Sequence, residues 1–176
     1  CGSNTGTITS CYNSGTVNGS GNNVGGVCGQ NSSGTITYCY YLSGKATGGI
    51  DSKDVTGSAE AKTEELFKNG KVCTLLNKAL KDENASVRFY QGANYPELIM
   101  NVPSLVEGVY QITNKEELYA FAQLVNKNVE TSANAVLTAD ITVNTSLLAS
   151  LNEDGSIKED GKTVETWTPI GNLTLK

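Results

Sequence analysis

The chain contains no histidine. That absence removes Ser-His-Asp and Cys-His nucleophilic sites and the HExxH zinc site, all of which need imidazole as base or ligand. Charge is nearly missing from one end. Lys45 is the sole charged side chain in residues 1–50, so twelve of the thirteen basic and all eighteen acidic residues lie beyond it. Clustered Lys and Arg are lacking and the net charge is -5, which argues against a nucleic-acid partner, since phosphate neutralisation needs such clusters. No apolar run reaches the length of a membrane span. No secretory leader pattern is visible. With 38% hydrophobic residues in 176, a packed core fits one or two domains.

What the chain does have is a repeat. Residues 6–12 read GTITSCY and residues 34–40 read GTITYCY. Around them, residues 1–17 align with 28–46 once one inserted residue is allowed. Between the isolated apolar residues Ile8, Cys11, Val17, Val24, Val27, Ile36 and Cys39 lie Gly, Asn and Ser. A period of this length predicts stacked units, each too thin to bury its own face. In GTIT the period of two sets Ile8 against Thr7 and Thr9, and Ile36 against Thr35 and Thr37. The expected fold class is therefore mainly β: right-handed parallel β-helix or solenoid coils over 1–56. A capping or linker unit with short helices follows over 57–103. An α+β start of a second β-helical module occupies 104–176.

Within that plan, 60–70 reads as a helix closed by Gly70, and 71–80 as a second with Val72, Leu75, Leu76 and Ala79 on one face. Residues 86–101 read as strand, turn and strand, with Gly92 and Asn94 in the turn and Pro96 at an edge. VYQI (109–112) reads as a strand. The helix expected over 113–128 starts with a Thr113–Glu116 capping box and carries a Leu118, Phe121, Ala122, Val125 stripe. Residues 135–144 alternate as a strand, 151–162 read as a charged turn or hairpin, and 167–172 as a strand and turn.

The phrases GTIT-x-CY, SGTV and VGGVCG-x-N resemble the GLUG-type repeat of bacterial surface proteins, including the β-helical part of IgA-protease-like proteins. NGKVCTLLN and FYQGANYPEL are similar to the segment that follows such repeats. YQITNKEELYAFAQLVN, LTADITVN and WTPIG resemble the opening of another β-helical module. The resemblance implies a segment spanning two modules in a secreted or cell-surface bacterial protein. Its implied role is structural and adhesive, with a host glycan or surface protein and the flanking domains of the same polypeptide as partners. The alternative is a non-catalytic accessory region of a large secreted protease or carbohydrate-active enzyme.

No catalytic, cofactor-binding or metal-ligating residue is assigned, and the chain is not expected to be an enzyme. β-Helical lyases and hydrolases use clustered Asp with Lys or Arg, whereas residues 1–50 hold no Asp or Glu. The acidic pairs Asp82-Glu83, Glu116-Glu117, Glu153-Asp154 and Glu159-Asp160 read as solvated faces, and 153–160 lacks the ligand alternation of an EF-hand. Cys1 matches Cys28 and Cys11 matches Cys39, so each pair should lie one strand spacing apart, as apolar filler or as an inter-coil disulfide. Cys73 should face the buried side of its helix. A lipidated Cys1 is disfavoured by the repeat register, which places it inside a unit and points to a segment of a longer chain. Thr-x-Thr arrays suggest ice binding, though two copies make a small plane. Tyr12, Tyr40 and Tyr41 suggest either sugar stacking or a simple stacked ladder.

Overall fold

The computed structural model describes residues 1–144, with 152–154, 156, 168 and 170. The chain divides into two compact units, Cys1–Ile99 and Met100–Lys176.

In the first unit the two repeats lie side by side. The first provides β1 (Ser3–Asn4), β2 (Thr7–Thr9) and β3 (Tyr12–Asn13); the second provides β4 (Gln30–Asn31), β5 (Thr35–Thr37) and β6 (Cys39–Leu42). Each pairs in parallel with its equivalent: Ser3 with Gln30, Ile8 with Ile36, Tyr12 with Tyr40. A further strand, β7 (Ala59–Lys62), joins the other side of β6 in parallel. The variable residue of GTIT-x-CY turns the corner between strands: Ser10 and Tyr38 hold φ of 50° and 52°, a left-handed conformation unusual outside Gly and Asn. Ile36, Cys28, Cys39, Ile50 and Ala59 are buried between the faces, with Ile8 and Val27 against them. Thr7 and Thr35 are exposed.

The expected right-handed parallel β-helix is not what these residues build. Among the described residues the strands fall into five separate sheets of two or three strands, with parallel pairings in the repeats and an antiparallel one elsewhere. The physical reason lies in the strand lengths. Strands of two to four residues separated by Gly-rich turns cannot run into continuous faces, and residues 14–27 form no strand. The parallel match between repeats is local.

A helical layer completes this unit. Residues 60–62, expected to start a helix, instead end β7. The helix α1 is confined to Glu64–Lys68, because Thr63 caps it by accepting from Leu66 N. Gly70, at φ 82°, then opens α2 (Lys71–Asp82) rather than only closing its predecessor. Val72, Leu76 and Ala79 are buried and Leu75 is half-buried. A two-stranded sheet of β8 (Val87–Gln91) and β9 (Pro96–Met100) follows, its turn closed by Gly92 N donating to Tyr95 O at 3.1 Å. The main core joins Tyr40 and Leu42 from the second repeat to Phe67, Val72, Cys73, Leu76, Leu80 and Phe89.

In the second unit, β10 (Ser104–Val106) pairs antiparallel with β11 (Val109–Ile112), which pairs in parallel with β12 (Asn134–Leu137). The helix α3 (Lys115–Asn126) makes the crossover that a parallel pair requires. Its cap sits one residue later than expected. Asn114 accepts from Glu117 N, and Glu117 reaches back to the amide and hydroxyl of Thr113 at 2.7 Å each. Ala120, Phe121, Ala122 and Leu124 are buried with Tyr110 and Ile112, and the Tyr110 and Phe121 rings lie 5.6 Å apart. The strand expected over 135–144 ends at Leu137, and β12 is exposed throughout. The expectations for 151–162 and 167–172 lie mostly outside the described residues.

Candidate functional site

The side chains that sequence reasoning singled out for chemistry converge on the paired repeats. Each repeat pairs its polar residues with their equivalents. Asn4 Nδ2 donates to Asn31 Oδ1 at 3.0 Å and to Gly6 O at 3.1 Å, while its own Oδ1 receives Gly6 N. Asn13 closes a similar local turn with Gly15, the Asx pattern that suits Asn to sharp corners. Thr37 and Thr9 hydroxyls meet at 3.3 Å. These amides are occupied by the fold; on the paired strands themselves the exposed hydroxyls and amide are those of Ser3, Thr7, Gln30 and Thr35.

The tyrosines are turned inward. Tyr40 and Tyr41 are 6% and 3% exposed, and neither offers a ring face for stacking a sugar. Tyr12 is half-buried, donates to Pro96 O at 2.7 Å, and packs edge or tilted against Phe67 and Phe89. Tyr12 and Tyr40 are register partners, but Tyr12's ring contacts are with the helical layer. The Tyr41 hydroxyl donates to Asp54 at 2.9 Å, and burial with that carboxylate pushes it up to about 12. Burial beside Glu60 likewise raises Tyr40 to about 12, with Lys62 lying 5.2 Å over its ring. The Lys62 ammonium, 2.7 Å from Glu60, holds that carboxyl below its usual range.

The cysteines form two columns. Cys1, Cys28 and Ile50 make one, since Cys28 bridges Ile50; Cys11, Cys39 and Ala59 make the other, since Cys39 pairs with Ala59. Cys28 and Cys39 are fully buried, whereas Cys1 and Cys11 are exposed. All are thiols. Cys1 Sγ lies 3.3 Å from Cys28 Sγ. A hydrogen bond from Cys39 lowers Cys11 to about 7, and the same contact with burial raises Cys39. Cys73 is buried on α2 and pushed up to about 11.

Three polar residues that carry structural weight gave no signal in the sequence. Asn77 on α2 is buried and holds both backbone groups of Phe89, donating to its O and accepting from its N at 2.8 Å each. Ser10 donates to Leu76 O at 2.8 Å. Arg88, fully buried, donates through Nη1 to Ala85 O and Val87 O at 2.6 and 2.7 Å, while Nε and Nη2 have no partner among the described residues. An asparagine or arginine inside an amphipathic pattern reads as solvated until its neighbours are known.

Among the described residues no group of three or more Cys, Asp or Glu is placed to hold a metal ion, and no helix is long and apolar enough to cross a membrane. Of the acidic pairs, Asp82-Glu83 closes α2 and Glu116-Glu117 sits in the first turn of α3, where Glu117 serves the cap. Asp154 accepts from Ser156 in a local turn. Comparison with family models, with curated proteins and with solved structures finds no match to the chain.

Proposed function

We propose that this chain is a structural and adhesive segment of a secreted or cell-surface bacterial repeat protein, making its contacts through the outer face of the paired repeats. The observation that carries the reading is the chemistry of that face. Ser3 with Gln30 and Thr7 with Thr35 stand exposed as register partners on two pairs of parallel strands, and no charged side chain occurs before Lys45. Hydroxyls and amides both donate and accept, which suits the hydroxyls of a neutral host glycan. In-register backbone pairing fixes their spacing, so little ordering is required on contact. The resemblance of residues 1–50 to surface-protein repeats supports the extracellular setting.

The buried tyrosines narrow the mode of contact. Recognition would rest on hydrogen bonds rather than on aromatic stacking by Tyr12, Tyr40 or Tyr41, so single-site affinity is weak and useful binding is multivalent. The test is binding of the labelled chain, displayed in many copies on a bead, to an array of neutral and acidic glycans and to epithelial cells. Saturable binding to neutral glycans, lost in a Thr7→Lys/Thr35→Lys variant of unchanged fold, is expected. Binding that survives this double substitution, or none to glycans or cells, would overturn the reading and favour an accessory region of a larger enzyme.

A further inference from the structure

Each thiol column sets a cysteine of the first repeat beside its equivalent in the second. At the third level an aliphatic side chain, Ile50 or Ala59, takes the place of the thiol. Cys1 and Cys11 are exposed, whereas Cys28 and Cys39 are buried. Each pair therefore consists of one exposed and one buried thiol at equivalent positions of the two repeats. We propose that Cys1–Cys28 and Cys11–Cys39 are disulfide-forming pairs that clamp the first repeat to the second when the protein meets a low-molecular-weight disulfide.

The repeat sets the members of each pair side by side, and the Cys1 and Cys28 sulfurs are already close. Parallel neighbours are separated by about 4.8 Å, inside the Cα range of about 4.4–6.8 Å that a disulfide spans. Equivalent thiols also point alike: Cys11 and Cys39 Sγ lie 3.2 Å from the carbonyl oxygens two residues back, Thr9 O and Thr37 O. Cys1 and Cys28 face the carbonyls two residues on, Ser3 O and Gln30 O, at 3.7 and 3.1 Å. The sulfurs therefore stack, with 3.3 Å between Cys1 and Cys28. Closing to a bond of about 2.0 Å needs rotation of the outer residue about χ1.

In the second pair the exposed thiol is also the better nucleophile. The contact with Cys39 lowers Cys11 below the usual thiol value, which raises its thiolate share, and thiolate is the attacking species. The Cys11 thiolate attacks one sulfur of the small disulfide, breaking its S–S bond and releasing one thiolate. The Cys39 thiol then gives up its proton to water or buffer, and its sulfur attacks Cys11 Sγ in the mixed disulfide, expelling the second thiolate. The two protein thiols are oxidised by two electrons, and the small disulfide is reduced to two thiols. Cys1 and Cys28 follow the same course with Cys1 as the entry point. The proposal is independent of the adhesive reading, although an extracellular compartment is where such bonds persist.

The experiment uses the full chain equilibrated with oxidised and reduced glutathione, quenched by acid and digested with trypsin. The peptide 1–45 holds all four cysteines and ends at the first basic residue. It should become four hydrogens lighter, with no glutathione retained. Cys1→Ser/Cys28→Ser and Cys11→Ser/Cys39→Ser should each lose two hydrogens. The crossed variant Cys1→Ser/Cys39→Ser should lose none and carry glutathione on Cys11. Amide exchange over residues 1–17 should slow at least tenfold in the oxidised wild type relative to the reduced one. Retained glutathione on Cys1 and Cys11, no mass change, or disulfide formation in the crossed variant would each overturn the proposal.

Discussion

Replacing Asn77 tests how the helical layer is fastened to β8. In a strand, the N–H and C=O of one residue point to the same side. Phe89 presents both to α2, where the Asn77 amide answers them at 2.8 Å each. The side chain acts as a one-residue strand at the free edge of β8. Asn77→Leu keeps the branched heavy-atom skeleton and orphans both backbone groups, each buried beside Leu76 and Leu80 in the main core. An unsatisfied buried group costs about 1–3 kcal/mol. Part of that loss is offset because an apolar side chain is cheaper to bury than an amide, leaving an expected destabilisation of about 2–4 kcal/mol. Asn77→Asp is the sharper probe. Its ionised carboxylate still accepts from Phe89 N but opposes Phe89 O, whereas the protonated acid satisfies both. The folded-state pKa of that Asp should therefore rise above the unfolded value of about 3.9. A raised folded pKa gives stability that is fully present below the unfolded value and lost as pH rises through the folded one. Urea melts of both variants from pH 3 to pH 8 read the effect. Asn77→Asp should approach wild type at the acid end and fall away towards neutrality, while Asn77→Leu should show no such trend relative to wild type. A pH-independent difference between wild type and Asn77→Asp would refute the reasoning.

Phe67, fully buried where Tyr12 and Tyr95 meet it at 5.6 and 5.9 Å, should cost about 3–5 kcal/mol on truncation to Ala, measured by chemical denaturation. Tyr40 and Tyr41 are both raised to about 12 against about 10 unfolded. Their contribution is complete below pH 10 and is lost as pH climbs towards 12, so Tm should fall over that window and fall less in Tyr41→Phe. At Gly34 an added Cβ would collide with Asn4 Nδ2 and Gly6 O, so Gly34→Ala should break the Asn4–Asn31 contact and cost about 1–3 kcal/mol. Its chemical-shift changes should centre on residues 4–6 and 31. A peptide of residues 1–50 should show no cooperative melting, because Tyr40 and Leu42 are buried against α1, α2 and β8 that the peptide lacks.

The GTIT-x-CY phrases predicted the pairing of equivalents because the alternation of two and the repeat spacing are local properties. Ile8 met Ile36, and Thr7 and Thr35 faced outward as the pattern required, while Thr9 and Thr37 are half-buried against each other. The expectation of continuous β-helical faces failed on quantities that apolar spacing does not carry. Strand length was one, since the corners at Ser10 and Tyr38 leave only three residues in β2 and β5. The termination of pairing at Leu137 was another. Helix ends were legible to within a few residues, and each displacement had a capping cause: Thr63 took the start of α1, and Asn114 that of α3. The tyrosines were misleading because a phenol reads as surface-seeking, yet here its hydroxyl found Pro96 O or Asp54 while the ring joined a core. Asn77 and Arg88 were illegible because their partners are backbone atoms, which no side-chain pattern encodes.

The first unit is held by different forces at its two ends, and that gradient orders its behaviour. Towards α2 the binding is apolar, with Phe67, Val72 and Leu76 wholly buried. Towards residue 1 it is polar: backbone ladders, the Asn4–Asn31 amides and the Thr9–Thr37 hydroxyls. Net hydrogen bonds in reach of water contribute about 1 kcal/mol each or less, and the apolar contribution there is limited to a half-buried Ile8. Ser10 to Leu76 O and Tyr12 to Pro96 O tie the corner of the first repeat to the helical layer and the β8–β9 sheet, so opening should begin at residues 1–6 and stop at Ser10. The thiol pairs bracket that segment: Cys1–Cys28 lies beyond the last tie and Cys11–Cys39 beside it. A loop of 28 residues closed by the first bond, or of 29 by the second, removes about 3–4 kcal/mol of unfolded-state entropy. The first bond therefore protects the end with least intrinsic hold, while the second reinforces a corner already fixed. Oxidation of Cys1–Cys28 alone should slow exchange at β1 more than oxidation of Cys11–Cys39 alone.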